Sequence, residues 1–374
     1  MKNKKITIVG AGPAGATCAR LLADAGYKVD LYDKRNHVGG NCYDQYDPHG
    51  VLIHPYGPHY FRTDSYELLS WLSQFTQWIT ANYLVRAEVD GKLVPLPISL
   101  STITNLTGKV HNEDDLNNYL AAQVEHYARP SNAREQCLTT VGHELYEKIF
   151  KNYTRKQWGI GAENLDPSIT ARIPLRYNFD ERYPQEKFQV LPLNGYTYMF
   201  ERMLDHPQIE IHLNNFLSAD DLKGLKNSSD LMIYSGMIDH FYDQRFGPLG
   251  YRSLRFEWKN FPMHYWGPCV QINYPNDHQY SRTVEIKHIT GQRCPSTTVC
   301  FEYPAAEGEG FYPLLTAENA DRYQAYLNLA KSDTNSDRPV YFIGRLAEFR
   351  YYNMDHVFIK ANELAEKIIG HRPQ

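Results

Sequence analysis

Residues Ile8 to Asp44 constrain this chain more than any other stretch, because they spell out strand, glycine turn, helix and second strand in one run, IVGAGPAGATCARLLADAGYKVDLYDKRNHVGGNCYD. Ile6 to Val9 read as a buried strand, Gly10, Gly12 and Gly15 as a GxGxxG turn, and Ala14 to Ala25 as a helix. The glycines permit a tight turn, close backbone approach to a pyrophosphate, and close packing of helix on strand. The helix N-terminus then turns its free N–H groups toward phosphate oxygens. Lys28 to Tyr32 make the next strand, and Asp33 falls where an acidic side chain meets a ribose hydroxyl pair.

The residues after Asp33 decide which dinucleotide is expected. Lys34, Arg35 and the turn Gly39-Gly40-Asn41 run directly on, the extended fingerprint of large FAD-binding proteins rather than of simple NAD dehydrogenases. FAD is the expected cofactor, with Gly10, Gly12, Gly15, Asp33, Lys34, Gly40 and Asn41 among the residues holding it. A chain of 374 residues divides into two or three domains. Its net charge of −4 gives a nucleic-acid role no electrostatic support. No apolar run reaches the roughly 18 residues of a membrane span, and the apolar stretch behind the basic Met1 to Lys5 breaks at Gly10, so a signal peptide is not expected. Six cysteines without a CxxC pair read as reduced thiols of a cytoplasmic protein, and no metal site is expected.

Beyond Thr63 the pattern changes. Asp64 to Gln77 reads as a helix capped by Thr63 or Asp64, and Asn82 to Pro97 as a hairpin turning at Asp90-Gly91. Several helices lie between Asn112 and Trp158, with a polar connection at Ala128 to Ala133, and Ile173 to Val190 is loop-like. Alternation at Ser253 to Glu257, Cys269 to Tyr274, Arg282 to Lys287 and Thr298 to Tyr303 predicts an antiparallel sheet. Val340 to Gly344 reads as a strand, and Met354 to Ile369 as a helix closing back on the first domain.

Eight further motifs, in order, make the chain resemble the bacterial UDP-galactopyranose mutase family over essentially its whole length. They are His54-Pro55-Tyr56-Gly57-Pro58-His59-Tyr60-Phe61-Arg62-Thr63, Tyr153-Thr154-Arg155-Lys156-Gln157-Trp158-Gly159, Arg172-Ile173-Pro174, Gly195-Tyr196-Thr197, Tyr251-Arg252-Ser253-Leu254, Tyr280-Ser281-Arg282, Phe311-Tyr312-Pro313 and Gly344-Arg345-Leu346-Ala347-Glu348. The resemblance implies an α/β fold: a Rossmann-like FAD-binding domain with an inserted helical domain and an antiparallel β-sheet domain. The FAD-binding part is expected at 1–63, about 195–250 and 335–374. A mainly helical substrate domain is expected at 64–172, with a mobile lid at 166–176, and the sheet domain at about 177–194 and 251–334.

It also implies an isomerase that converts a UDP-hexopyranose to the furanose, the N5 of reduced flavin attacking the anomeric carbon, with the protein supplying position and charge. Arg172 and Arg282 match the family's diphosphate-binding arginines, as suits a leaving diphosphate that must be held while detached. His59 and Gly57 are placed by the resemblance at the flavin ring, His59 with a catalytic role. Tyr153, Trp158, Tyr183, Tyr312 and Tyr351 fall on substrate-lining aromatics, Tyr153 toward the uracil and Trp158 toward the sugar. Asn82, Phe150, Thr154 and Asn273 are implied to contact substrate, and Arg345, Tyr352, Asn353 and Met354 the flavin. The resemblance further implies an external reductant such as NAD(P)H, a homodimer, and a product that enters polysaccharide.

Three departures concern the sugar. Arg62 stands where the family commonly has a second histidine, beside Pro58 in place of alanine. Asn353 stands for an aspartate, and Ile149 for a phenylalanine on the nucleotide. UDP-galactose, UDP-N-acetylgalactosamine and a deoxysugar nucleotide therefore all stay open, Arg62 being either a substrate contact or the partner of a nearby carboxylate. Two other classes are carried alongside: an FAD-dependent oxidoreductase, and a cofactor-free binding protein on the same scaffold, as in the GDP-dissociation inhibitors.

Overall fold

A computed structural model describes residues 4–171 and 174–370. Its N-terminal unit is a five-stranded parallel sheet in the order 209–212, 28–32, 5–9, 231–234, 340–342. Ile6, Ile8, Val29, Leu31, Ile233 and Val340 are all buried, as a parallel sheet covered on both faces requires. Helix Pro13–Asp24 lies on this sheet. Its small residues Ala16 and Ala19 are fully buried, and Cys18 reaches the carbonyl of Ala361 on the C-terminal helix Met354–Gly370. That last helix buries Phe358, Ala361, Ala365 and Ile368, one stripe at helical spacing. The predicted closure onto the first domain is therefore present.

A second sheet has seven strands in the order 312–313, 251–261, 297–305, 282–284, 271–273, 85–89, 92–96. The hairpin Val85–Leu96 belongs here, although the sequence pattern groups it with the helical segment. It turns at Asp90 (φ 51°) and Gly91 (φ 73°), both in the left-handed region that a two-residue hairpin turn demands. Strand Arg282–Val284 is shorter than the alternation suggested. The chain leaves it for a short helix, Lys287–Thr290, because the Lys287 ammonium is fully buried and bonds the carbonyls of His264, Cys294 and Ser296.

Helices with a polar connection at 122–132 occupy residues 113–158, as expected from their periodicity, and a further helix, Leu100–Thr107, precedes them where none was expected. The helix expected over Asp64 to Gln77 is only Tyr66–Leu72, and its cap is Ser65, whose hydroxyl accepts the Leu68 N–H at 3.1 Å. Thr63 is unavailable as a cap because it ends a strand paired with Phe188 in a small sheet of strands 61–63, 188–192 and 78–80. The loop-like stretch thus becomes ordered strand at its end. All six cysteines are free, and among the described residues no helix is long and apolar enough to cross a membrane.

One contact decides the first turn. A Cβ on Gly15 would stand 1.8 Å from the Gly10 carbonyl oxygen, backbone that cannot step aside. Gly15→Ala should cost at least the ~1–3 kcal/mol of core overpacking, read as a lowered thermal midpoint together with loss of bound flavin.

Candidate active site

Residues from both sheets line a single cavity of about 670 Å³. At one end is the glycine turn. A Cβ on Gly40 would come within 2.8 Å of the Gly12 Cα, so two glycine backbones meet there and leave the start of helix Pro13–Asp24 open to the cavity. Asp33, 8 % exposed, accepts the Ala11 N–H at 2.7 Å and the Arg35 N–H at 2.9 Å. Lys34 and Arg35 both reach Glu309 (2.7 and 2.8 Å), and Arg35 also bonds Asn41 and stacks on Tyr56. A dinucleotide fits this end: glycine faces at a helix N-terminus for the pyrophosphate and a carboxylate at the end of the next strand for a ribose. Gly15 serves the same end from outside the lining, by its approach to Gly10.

The middle of the cavity is the turn His54–His59. The Gly57 carbonyl accepts from the His59 ring at 2.9 Å, and His54 Nδ1 accepts the His59 backbone N–H at 3.1 Å. Burial, then the neighbouring His54, hold the His59 imidazole down at about 3, and burial alone does the same to His54. Both rings are neutral near neutral pH. Because a carbonyl only accepts, His59 carries its proton on Nδ1 and turns an acceptor Nε2 outward.

The far end is walled by the seven-stranded sheet. Asn273, Arg282, Glu302 and Phe256 stand in one row across four neighbouring strands, so they share a face. Arg282 Nε donates to Glu302 Oε2 at 2.6 Å, and neither Nη has a hydrogen-bond partner among the described residues. Burial pushes the Glu302 carboxyl above its usual range, and the Arg282 charge pulls it back. Tyr312, on the edge strand of the same sheet, opens an aromatic box: it stacks on Tyr351 at 5.5 Å with Trp158 edge-on at 6.3 and 6.4 Å, and Arg345 sits 5.1 Å over both tyrosines. Burial raises the phenols of Tyr83, Tyr153 and Tyr312, which therefore remain O–H donors.

The expected residues Arg62, Phe150, Tyr153, Thr154, Tyr183, Tyr352, Asn353 and Met354 also line this cavity. Arg62 pairs with Glu186 at 3.5 Å and bonds Asn353 at 3.1 Å, so the alternative of a carboxylate partner is the one realised. Arg345 donates to the Tyr352 carbonyl at 2.7 Å. Asn82 does not belong: it is exposed and outside the lining, while alternation along the extended chain turns the adjacent Tyr83 inward. Arg172 lies outside the described residues; of the expected lid, Ile169 and Thr170 line the cavity. Sequence reasoning missed Tyr83 and Gln271, joined at 2.8 Å, with Gln271 in turn bonding Asn273 at 2.8 Å. The signal was there in the period of two that puts Gln271 and Asn273 on one face. It also missed Glu302 and Glu309, which only long-range pairing brings in.

A parallel sheet that presents a dinucleotide cradle, joined to a mainly antiparallel sheet, with one parallel pairing between strands 271–273 and 85–89, that walls an aromatic chamber, is the build of a flavin-binding enzyme. Residues 8–75 match the model of the NAD(P)-binding Rossmann-like domain, and residues 148–351 that of UDP-galactopyranose mutase. The chain is 37% identical to a probable UDP-galactopyranose mutase of Klebsiella pneumoniae, covering 99% of this chain and 96% of that one. It is 34% identical to dTDP-fucopyranose mutase of Escherichia coli, covering 98% of each. Its fold superposes on a crystal structure of reduced UDP-galactopyranose mutase with a TM-score of 0.76 at 17% identity, covering 98% and 94% of the two chains. The chain belongs to the UDP-galactopyranose mutase family, and it is a flavoprotein and an isomerase.

The buried His54 and the cavity-lining His59 make stability depend on pH in a fixed direction. Their folded pKa values, about 3, lie below the ordinary 6.5, so the unfolded chain binds more protons between those limits. Stability is full above about pH 6.5 and is lost as the pH falls, by up to about 1.4 kcal/mol per pH unit for each ring. Thermal midpoints measured from pH 7.5 to 4.5 should fall in this sense. His54→Gln should flatten the slope.

Proposed function

We propose that the protein interconverts UDP-galactopyranose and UDP-galactofuranose, with FAD in the glycine cradle and active when reduced. The observation that carries this reading is Arg282: a guanidinium held by its Nε, with both Nη groups unpartnered among the described residues, on the wall of a chamber lined with aromatic rings. Such a fork suits two phosphate oxygens. When bound and reduced, the flavin supplies the nucleophile for the anomeric carbon. The chain's own residues then have three tasks.

Arg282 holds the diphosphate while it is detached, joined in this reading by Arg172 from the lid at 166–176. Trp158, Tyr312 and Tyr351 enclose the sugar and exclude water, and Asn273, fixed by Gln271 and Tyr83, offers a polar contact beside them. Tyr153, Phe150, Thr154 and Tyr183 line the nucleotide side. His59, neutral, turns an acceptor toward the flavin end, and Gly57, Arg345, Tyr352, Asn353 and Met354 border the same space. Arg62 is engaged by Glu186 and Asn353, which supports galactose over its 2-acetamido analogue, whose carbonyl would need that guanidinium free. Six free cysteines accord with a cytoplasmic enzyme. A homodimer and an external reductant such as NAD(P)H complete the proposal.

The test is turnover of the dithionite-reduced protein on UDP-galactopyranose, UDP-N-acetylgalactosamine and dTDP-sugars, with products resolved by chromatography. Furanose should form from UDP-galactose in reduced enzyme without consumption of reductant per cycle. Full activity in oxidised enzyme, or rejection of every UDP-sugar, would refute the reading.

A second expectation concerns the arginines. Replacing Arg282 or Arg172 by alanine removes a charge-assisted contact of roughly 1.5–3 kcal/mol. Turnover should fall by about ten- to more than a hundredfold, with flavin content unchanged on absorbance.

A further inference from the structure

Glu302 is the least expected group near the site. It is 0 % exposed, it sits on a central strand, and only one of its oxygens is used. Oε2 accepts from Arg282, while Oε1 has no hydrogen-bond partner among the described residues. That oxygen is wedged beneath the turn to the cofactor end, where a Cβ added to Gly57 would meet it at 3.3 Å and the Phe256 ring at 3.4 Å. A carboxylate buried with an unmade hydrogen bond is a poor stabiliser, since apolar replacements of buried ion pairs are often neutral or favourable. Its presence needs a reason other than folding.

The geometry supplies one. A guanidinium is planar, so fixing the direction of its Nε–H leaves only rotation about that bond, and the walls of the sheet limit even this. Glu302 is itself fixed: it faces Arg282 across one strand pairing and Phe256 across the other, and Gly57 closes over it. A carboxylate gripping Arg282 through two donors would consume part of the fork. Held through Nε alone, Arg282 keeps both Nη groups for the cavity. We propose that Glu302 is a positioning residue that aims the Arg282 fork at the substrate diphosphate, without touching substrate itself. This rests on the reading that Arg282 grips the diphosphate.

Binding of UDP to the flavin-loaded, oxidised enzyme tests it by isothermal titration calorimetry. Removing Glu302 also removes a counter-charge, which alone would tighten binding of an anion, so the comparison is between two variants that both remove the charge. Glu302→Gln retains an acceptor for Nε–H, whereas Glu302→Ala does not. UDP should bind Glu302→Ala about tenfold or more weakly than Glu302→Gln, at equal flavin content. In the Arg282→Ala background Glu302→Ala and Glu302→Gln should bind UDP equally, since the acceptor matters only through that arginine. Glu302→Leu, which fills the space without an acceptor, gives the same readout if Glu302→Ala loses flavin. Equal affinities in the Ala (or Leu) and Gln variants would overturn the proposal, as would a difference between them that persists in the Arg282→Ala background. Wild-type affinity in Arg282→Ala would instead overturn the reading of Arg282.

Discussion

The whole arrangement depends on how closely backbone can approach backbone at the glycine turn. Gly15 stands over the Gly10 carbonyl, and Gly12 against Gly40, at distances where no side chain fits. That approach sets helix Pro13–Asp24 down on the parallel sheet, and it aims the helix N-terminus at the cavity. Beside that turn, the segment after the second strand meets the loop that carries Glu309, which pairs with both Lys34 and Arg35. Anion binding at one end and charge placement at the other are thus parts of one rigid frame.

Electrostatically the cavity is divided. Its centre is kept uncharged by His59 on the lining and the buried His54 behind it, whose desolvation outweighs any gain from protonation. Apart from Lys34 at the cradle end, the cations lining the cavity among the described residues are guanidiniums, which burial does not neutralise at working pH. Each is tethered differently: Arg282 by a carboxylate, Arg345 by a backbone carbonyl and two aromatic faces, Arg62 by a carboxylate and an amide.

Legibility in the sequence tracked the range of the interactions. The dinucleotide unit and the helix Met354–Gly370 could be read directly, because strand, turn and helix signals lie within a few residues of one another. The hairpin at Asp90-Gly91 was legible for the same reason. The cap of helix Tyr66–Leu72 was not, since Thr63 was claimed by pairing with a strand more than a hundred residues away. Most of the site came from motifs recognised as belonging to a family. Glu302 carries no local mark: it enters the site through long-range pairing and sheet register, which a linear reading cannot fix, and Glu309 follows in the loop after that strand. Asn82 failed by one residue, the distance that exchanges the two faces of an extended chain.

The parallel sheet draws its strands from five places, at residues 5–9, 28–32, 209–212, 231–234 and 340–342. On the ribosome the first two strands and the glycine turn emerge early, yet a pair of parallel strands has neither its neighbours nor the C-terminal helix that covers it. The cradle can acquire its cofactor only after about nine-tenths of the chain has been made, and the long loops must close before these contacts reward them. Assembly of the cradle therefore waits on strand 340–342 and the helix behind it, and the outer edges of the first two strands stay unpaired until strands 209–212 and 231–234 have been made.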